Sequence, residues 1–253
     1  MAIKKTLLAS LMAGACSLSA AQADTVTLID QNFDAGLPVD ALTLGGGSVN
    51  LRSGTDSINT YNAGNPYQRF SIAPGTTFFN NASTNKFLVL GDDSGQLAGS
   101  PTSGTFGFAT PFSLASGTTD ITVSFDWVFS AFGSGGDTDQ FSVGITGNDF
   151  NISSPLVTSY SVLSKAITNN GKEYGLAATF NLAAASLGAA DANGQYWLSF
   201  GLFENASSNN SAVGIDNIKI TANVAPVPIP GVAWLLASGV AGLIGLQRRK
   251  AAA

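Results

Sequence analysis

The sequence predicts an all-β fold, an antiparallel β-sandwich of the jelly-roll type, on three observations. Apolar residues recur with a period of two, glycine-rich turns separate these runs, and almost no helical periodicity interrupts them. Ile121, Val123, Phe125, Trp127 and Phe129 alternate with Thr122, Ser124, Asp126 and Ser130, as a strand with one buried and one solvated face requires. The same alternation recurs in Phe141–Ile145 and in Tyr196, Leu198, Phe200 and Leu202, and more loosely in Thr25–Phe33, Lys86–Leu90 and Thr105–Phe112. Gly45-Gly46-Gly47, Gly133-Ser134-Gly135-Gly136 and Asn193-Gly194 mark turns, and Asn170-Gly171 reads as a tight hairpin turn. The only helix-prone stretch is Leu182–Ala192, too short to form a layer, and nothing alternates strand with helix, which argues against a parallel α/β sheet. A barrel or a β-helix are the other architectures this pattern allows, although no fixed-period repeat marks a solenoid. The aromatic strands argue for a packed core despite the abundance of Gly, Ser, Thr and Asn.

The ends of the chain read as address signals. Lys4 and Lys5 precede an apolar run from Thr6 to Ala21, which closes in Ala21-Gln22-Ala23, a small-x-small cleavage pattern. Residues 1–23 are therefore expected to be a signal peptide, with an uncleaved membrane anchor as the alternative. Cys16, the single cysteine, lies inside that segment, so the mature chain has no disulfide and no thiol chemistry. Residues 24–223 form one extracytoplasmic domain, large enough to bury its own core without cross-links. From Val224 to Leu246 the chain carries no charge, long enough to cross a membrane, and Arg248, Arg249 and Lys250 follow. The positive-inside rule places that basic cluster in the cytoplasm and the domain outside.

With Lys4, Lys5, Arg248, Arg249 and Lys250 assigned to the ends, few of the 11 Lys and Arg remain against 16 acidic residues. A nucleic-acid partner is excluded, because phosphate neutralisation needs clustered cations. Histidine is absent, which removes Ser-His-Asp triads and His-ligated zinc. Glu173 and Glu204 are the only glutamates and lie in no recognisable active-site motif. The domain is accordingly expected not to be an enzyme, and a glycan-active enzyme using two carboxylates is the rival reading.

Residues 224–253 resemble the PEP-CTERM sorting signal of Gram-negative bacteria: a short proline motif, an apolar helix, then a basic tail. The motif here is Val227-Pro228-Ile229-Pro230, a variant with Ile where the family commonly carries Glu, and Gly231-Val232-Ala233-Trp234-Leu235 follows it. The resemblance implies processing by an exosortase. It further implies a membrane-anchored precursor facing the periplasm, destined for the cell surface or an extracellular polysaccharide matrix such as a biofilm.

In the last strand Val213 and Ile215 set one apolar phase and Ile218 and Ile220 the other, so the register slips at Asp216-Asn217, where a β-bulge is expected. Gly214–Ile218 and Ile29–Phe33, with Asp34, are similar to the paired first and last strands of secreted carbohydrate-binding-module and lectin-like jelly rolls. The bulge would turn an acid toward a shared site, so Asp30, Asp34, Asp216 and Asn217 either hold a structural calcium ion, or Asp30 and Asp34 cap the opening strand in water while Asp216-Asn217 forms a plain bulge. Asp137-Thr138-Asp139 and Asp92-Asp93 are further oxygen donors for a hard cation or plain turn residues. Tyr61, Tyr67, Tyr160 and Trp197 either stack on sugar rings or pack inward.

Overall fold

The computed structural model describes residues 23–45, 49–53, 61–62, 65–66, 71–73, 76–77, 84–91, 104–131, 138–148, 150–154, 160–168, 171–205, 211–226 and 239. The cleavage-site residue Ala21, the motif Val227-Pro228-Ile229-Pro230, residues 231–246 apart from Gly239, and Arg248, Arg249 and Lys250 lie outside them, as do Asp92, Asp93 and Asp137. Among the described residues no helix is long and apolar enough to cross a membrane. Thr25–Asn223 is one compact unit, and the residues flanking it belong to another.

Fifteen strands are described. They are β1 (Asp24–Gln31), β2 (Leu42–Leu44), β3 (Val49–Ser53), β4 (Tyr61–Asn62), β5 (Asn65–Pro66), β6 (Ser71–Ala73), β7 (Thr76–Thr77), β8 (Lys86–Leu90), β9 (Gly104–Phe112), β10 (Thr118–Ala131), β11 (Thr138–Thr146), β12 (Tyr160–Thr168), β13 (Gly171–Ala183), β14 (Tyr196–Glu204) and β15 (Ala212–Val224). Two sheets hold most of them. A six-stranded sheet runs β13-β10-β15-β8-β3, with β1 also paired to β15, and a five-stranded sheet runs β12-β11-β14-β9-β2. The ladders β13-β10, β15-β8 and β8-β3 of the first sheet, and β12-β11, β11-β14, β14-β9 and β9-β2 of the second, are antiparallel. From β8 onward successive strands mostly change sheet, which lets their alternating apolar faces meet across one interior.

That interior is aromatic. Phe125 of β10 meets Phe200 of β14 edge to face, with ring centroids 5.2 Å apart at 86°. Phe200 also lies 6.2 Å from Phe108, and Trp127 lies 5.7 Å from Phe141. The odd-numbered apolar residues of β10, from Ile121 to Phe129, are all buried, as the period-two pattern requires. A second, smaller buried cluster of Phe87, Val89, Val128 and Ala212 alternates with inward-facing Leu88, Leu90, Trp127, Phe129 and Val213, so it belongs to the opposite, outward face of the six-stranded sheet.

Two expectations differ from what is observed. Asn170 of the expected hairpin turn lies outside the described residues, and the strands on either side of it are in different sheets, β12 paired with β11 and β13 with β10. Between these strands Lys165 of β12 and Glu173 of β13 form an ion pair at 2.6 Å, and the Lys165 ammonium sits 5.8 Å from the Trp127 ring centre. Leu182–Ala192 makes no α-helix: β13 continues to Ala183, Ala184–Leu187 forms one 3-10 turn, and Gly188 follows at φ +76°. Leu182 is held there by pairing with Ile121, and this tertiary pairing overrides local propensity.

Candidate functional site

The expected register slip is present. Ile215 and Ile218 are both buried in the core, Asn217 between them is exposed and left-handed at φ +52°, and Asp216 is buried at 1% exposure. A bulge rotates the following side chains back into phase, which explains how apolar residues of both parities face one core. The β8 ladder on β15 spans Val213–Ile215 and stops immediately before this bulge. Beyond it Lys219 of β15 reaches Asp30 of β1 at 3.5 Å, and Thr25 donates to Asn223 at 2.8 Å. Asp216 thus stands where one neighbour of β15 ends and the other begins.

Around it the structure gathers a polar network that crosses four strands. Asp216 Oδ1 accepts the Asn217 backbone N–H at 2.8 Å, and its Oδ2 accepts from the Asn85 side chain at 3.4 Å. The next residue, Lys86, donates its backbone N–H to Asp34 Oδ1 at 2.9 Å, and Asn32 donates to Asp34 Oδ2 at 2.9 Å. On the other side of β15, Asn217 Nδ2 donates to Asp126 Oδ2 at 2.8 Å, while Asp126 Oδ1 accepts the Ala177 N–H of β13 at 2.5 Å. A second bulge lies at that point: Phe125 pairs with Ala178 and Trp127 with Gly175, so Leu176 and Ala177 oppose Asp126 alone. The described non-glycine residues with positive φ are Phe33, Ala177 and Asn217, and each adjoins or contacts one of the carboxylates Asp34, Asp126 and Asp216. Left-handed backbone costs about 1 kcal/mol or more at a non-glycine residue. The carboxylates accept the hydrogen bonds that hold these turns in place.

Burial pushes the Asp216 carboxyl up to about 7, and the nearby charges of Asp126 and Asp34 add to that shift against the opposing hydrogen bonds from Asn217 and Asn85. Of the expected cation ligands, then, Asp34, Asp216 and Asn217 are brought together, whereas Asp30 is engaged by Lys219. Asp126 and Asn85 complete the network and were not singled out from sequence, because Asp126 reads only as the polar phase of a strand. Among the described residues no group of three or more His, Cys, Asp or Glu is arranged to hold a metal ion.

Asp139 belongs to a different network. It is buried, accepts the Asn205 N–H at 2.9 Å and the Ser211 hydroxyl, and Ser211 in turn donates its N–H to Glu204 Oε1 at 2.6 Å. Gly91 at φ +80° lies against the same place, where an added Cβ would fall 2.5 Å from the Ser211 carbonyl oxygen. Glu173 and Glu204 lie on different sheets, each bound to a scaffold partner.

The aromatic candidates also separate. Tyr160 packs against the core. The side chains of Tyr61 and Tyr67 lie outside the described residues. Trp197 is half-buried on the five-stranded sheet, stacked on Phe150 with ring centroids 4.4 Å apart at 5°. Its Nε1–H donates to Asp191 Oδ2 at 3.2 Å, and Asp191 Oδ1 accepts the N–H groups of Gln195 at 2.9 Å and Asn193 at 2.8 Å. The Gln195 bond foremost, with those from Trp197 and Asn193, holds the Asp191 carboxyl below the usual carboxylate range.

No protein-family model and no curated protein matches this chain. Among solved structures, it is similar to a family 61 carbohydrate-binding module in complex with β-1,4-galactotriose, at 10% identity over 75% of this chain and 93% of that one, with a TM-score of 0.34. The K1 cleaved adhesin domain of Lys-gingipain from Porphyromonas gingivalis is similar at 15% identity over 78% of this chain and 97% of that one, with a TM-score of 0.40. A family 11 carbohydrate-binding module from Clostridium thermocellum in complex with a β-1,3-1,4-mixed-linked tetrasaccharide is similar at 10% identity, covering 83% of this chain and 100% of that one, with a TM-score of 0.28. The sandwich assignment rests on the strand ladders of this chain and not on these likenesses.

Proposed function

We propose that the chain is an exported, non-catalytic β-sandwich that associates with extracellular polysaccharide, and that Trp197 with Asp191 forms its glycan contact. The observation that carries this reading is the fixed indole. A half-buried ring held by a stacked neighbour and an ionised carboxylate needs no ordering on binding, and the pair offers an apolar surface beside an acceptor for sugar hydroxyls. The rival two-carboxylate enzyme is disfavoured by the positions of Glu173 and Glu204, each committed to a scaffold contact. In affinity electrophoresis through gels containing soluble polysaccharides, retardation of the wild-type chain is expected, with loss in Trp197→Ala and partial retention in Trp197→Phe. A wild-type chain that no polysaccharide retards defeats the proposal, and polysaccharide cleavage abolished by Glu204→Gln establishes the rival.

The C-terminal segment supplies the address in this proposal: an exosortase recognises Val227-Pro228-Ile229-Pro230 after the apolar stretch has held the precursor in the membrane. Deleting residues 231–253 is expected to send the domain to the periplasm or medium, since no other mature segment is apolar enough to remain in a bilayer. Fractionation that finds the truncated chain still in the envelope refutes the anchor. A change in mature mass between strains with and without an exosortase tests the processing step itself.

A further inference from the structure

We propose that the free edge of β13 is a homotypic interface, on which residues 178–182 pair antiparallel with the same residues of a second copy of this chain. Among the described residues β13 ends the six-stranded sheet and is hydrogen-bonded along one side only, to β10. Past the bulge at Ala177 it runs one-to-one against Phe125–Asp120 as far as Ala183. Over Ala178–Ala183 there is no charge, no proline and no further bulge, which are the devices that normally blunt a sheet edge. Both ends of the other sheet are blunted: β2 is three residues long, and β12 carries Lys165.

The side chains match that unprotected backbone. Thr179, Asn181 and Ala183 are exposed on the outward face. Phe180 points inward and stacks on Phe125 at 5.6 Å, yet it is only partly buried, whereas Phe108, Phe141 and Phe200 on the facing sheet are at 0%. An edge of unpaired N–H and C=O groups accepts only an extended strand, and the symmetric choice of strand is self-complementary. Antiparallel pairing centred on Phe180 sets Phe180 against its twin and Ala178 against Leu182 on the inward face, small opposite large. On the outward face it sets Thr179 against Asn181, two hydrogen-bonding side chains. That register keeps the inward sides of both sheets on one side of the joined sheet. The chain is acidic, with a formal net charge of −5, so a run without charge is where two copies approach without repulsion.

Sedimentation of the purified full chain should show a concentration-dependent doubling of mass. Combining Thr179→Lys with Asn181→Lys places like charges opposite one another across the two-fold and should yield a monomer with a cooperative thermal transition. Combining Thr179→Lys with Asn181→Glu places opposite charges there and should restore the dimer. Should the doubly lysine-substituted chain fail to fold, Phe180→Cys in a Cys16→Ser background decides: its Cβ atoms would face each other across the axis, and oxidation should give a disulfide-linked dimer that Tyr174→Cys does not form. A wild-type chain that stays monomeric, including one that captures an unrelated extended peptide on this edge, overturns the proposal. A dimer that persists unchanged with both lysines also overturns it.

Discussion

Raising the pH from about 5 to about 8 is expected to lower the melting temperature of this protein, with Asp216 as the cause. Its folded carboxyl is pushed up to about 7 from an ordinary 3.8, foremost by burial. Between those values the folded state holds a proton that the unfolded chain has released, so stability falls as pH rises. The contribution is fully present below the unfolded value and lost as pH passes through the folded one. At about 1.4 kcal/mol per unit, the roughly two units between about pH 5 and the folded value give a loss of about 3 kcal/mol, or a melting-temperature decrease of about 6–12 °C for a domain of this size. Asp191 has the opposite sign, since its carboxyl is lowered, and its stabilisation is lost only in more acidic solution, below the Asp216 window. Asp216→Asn should therefore flatten the profile between about pH 5 and about pH 8, and a slope that survives this substitution removes Asp216 as its source. The structural calcium ion expected from the sequence at Asp30, Asp34, Asp216 and Asn217 makes a separate prediction. Saturating calcium should recover the melting temperature at the alkaline end by mass action, EGTA should remove the recovery, and a curve indifferent to both disposes of the ion.

Phe200→Ala is expected to destabilise the domain by about 3–5 kcal/mol, the range for emptying a buried phenylalanine site. The ring is fully buried and touches Phe108 on its own sheet and Phe125 on the opposite one, so its loss opens a void at the junction of both layers. Phe200→Leu keeps most of the volume and should cost less than about 1.5 kcal/mol. Urea denaturation of the two variants checks the difference, and equal midpoints would mean that the two sheets do not pack through this ring.

The elements that were legible in sequence are those whose residue types alternate between apolar and polar or small, although β11 and β14 are buried on both faces over their centres. β10, β14 and the centre of β11 show the period-two pattern directly, and the bulge at Asp216-Asn217 was visible because two apolar phases cannot share one straight strand. The bulge at Ala177 left no such trace: Leu176 is exposed on one side of it and Ala178 half-buried on the other, and alanine gives no hint of a left-handed backbone. For the same reason Asp126 was not singled out, since its role depends on two turns supplied by β13 and β15. Trp197 was a candidate by residue type alone. What fixes it, Phe150 and Asp191, comes from loops that no periodicity describes. Asp30 failed to join Asp34 and Asp216 because Asp34 follows the turn at Phe33, whereas Asp30 remains within β1 opposite Lys219.

The pairing of β1 with β15 bears on the order of events at birth. The first strand of the sandwich finds its partner in the last, and the hydrogen bond from Thr25 to Asn223 spans 198 positions. Neither strand can take its place until the final one has been synthesised, so a nascent chain passes most of its elongation with this seam unsewn. Non-local closure of this kind slows folding by demanding a long search before any contact rewards it. For the export proposed above that delay would be useful: the geometry that completes the native state would withhold it until the whole domain had crossed.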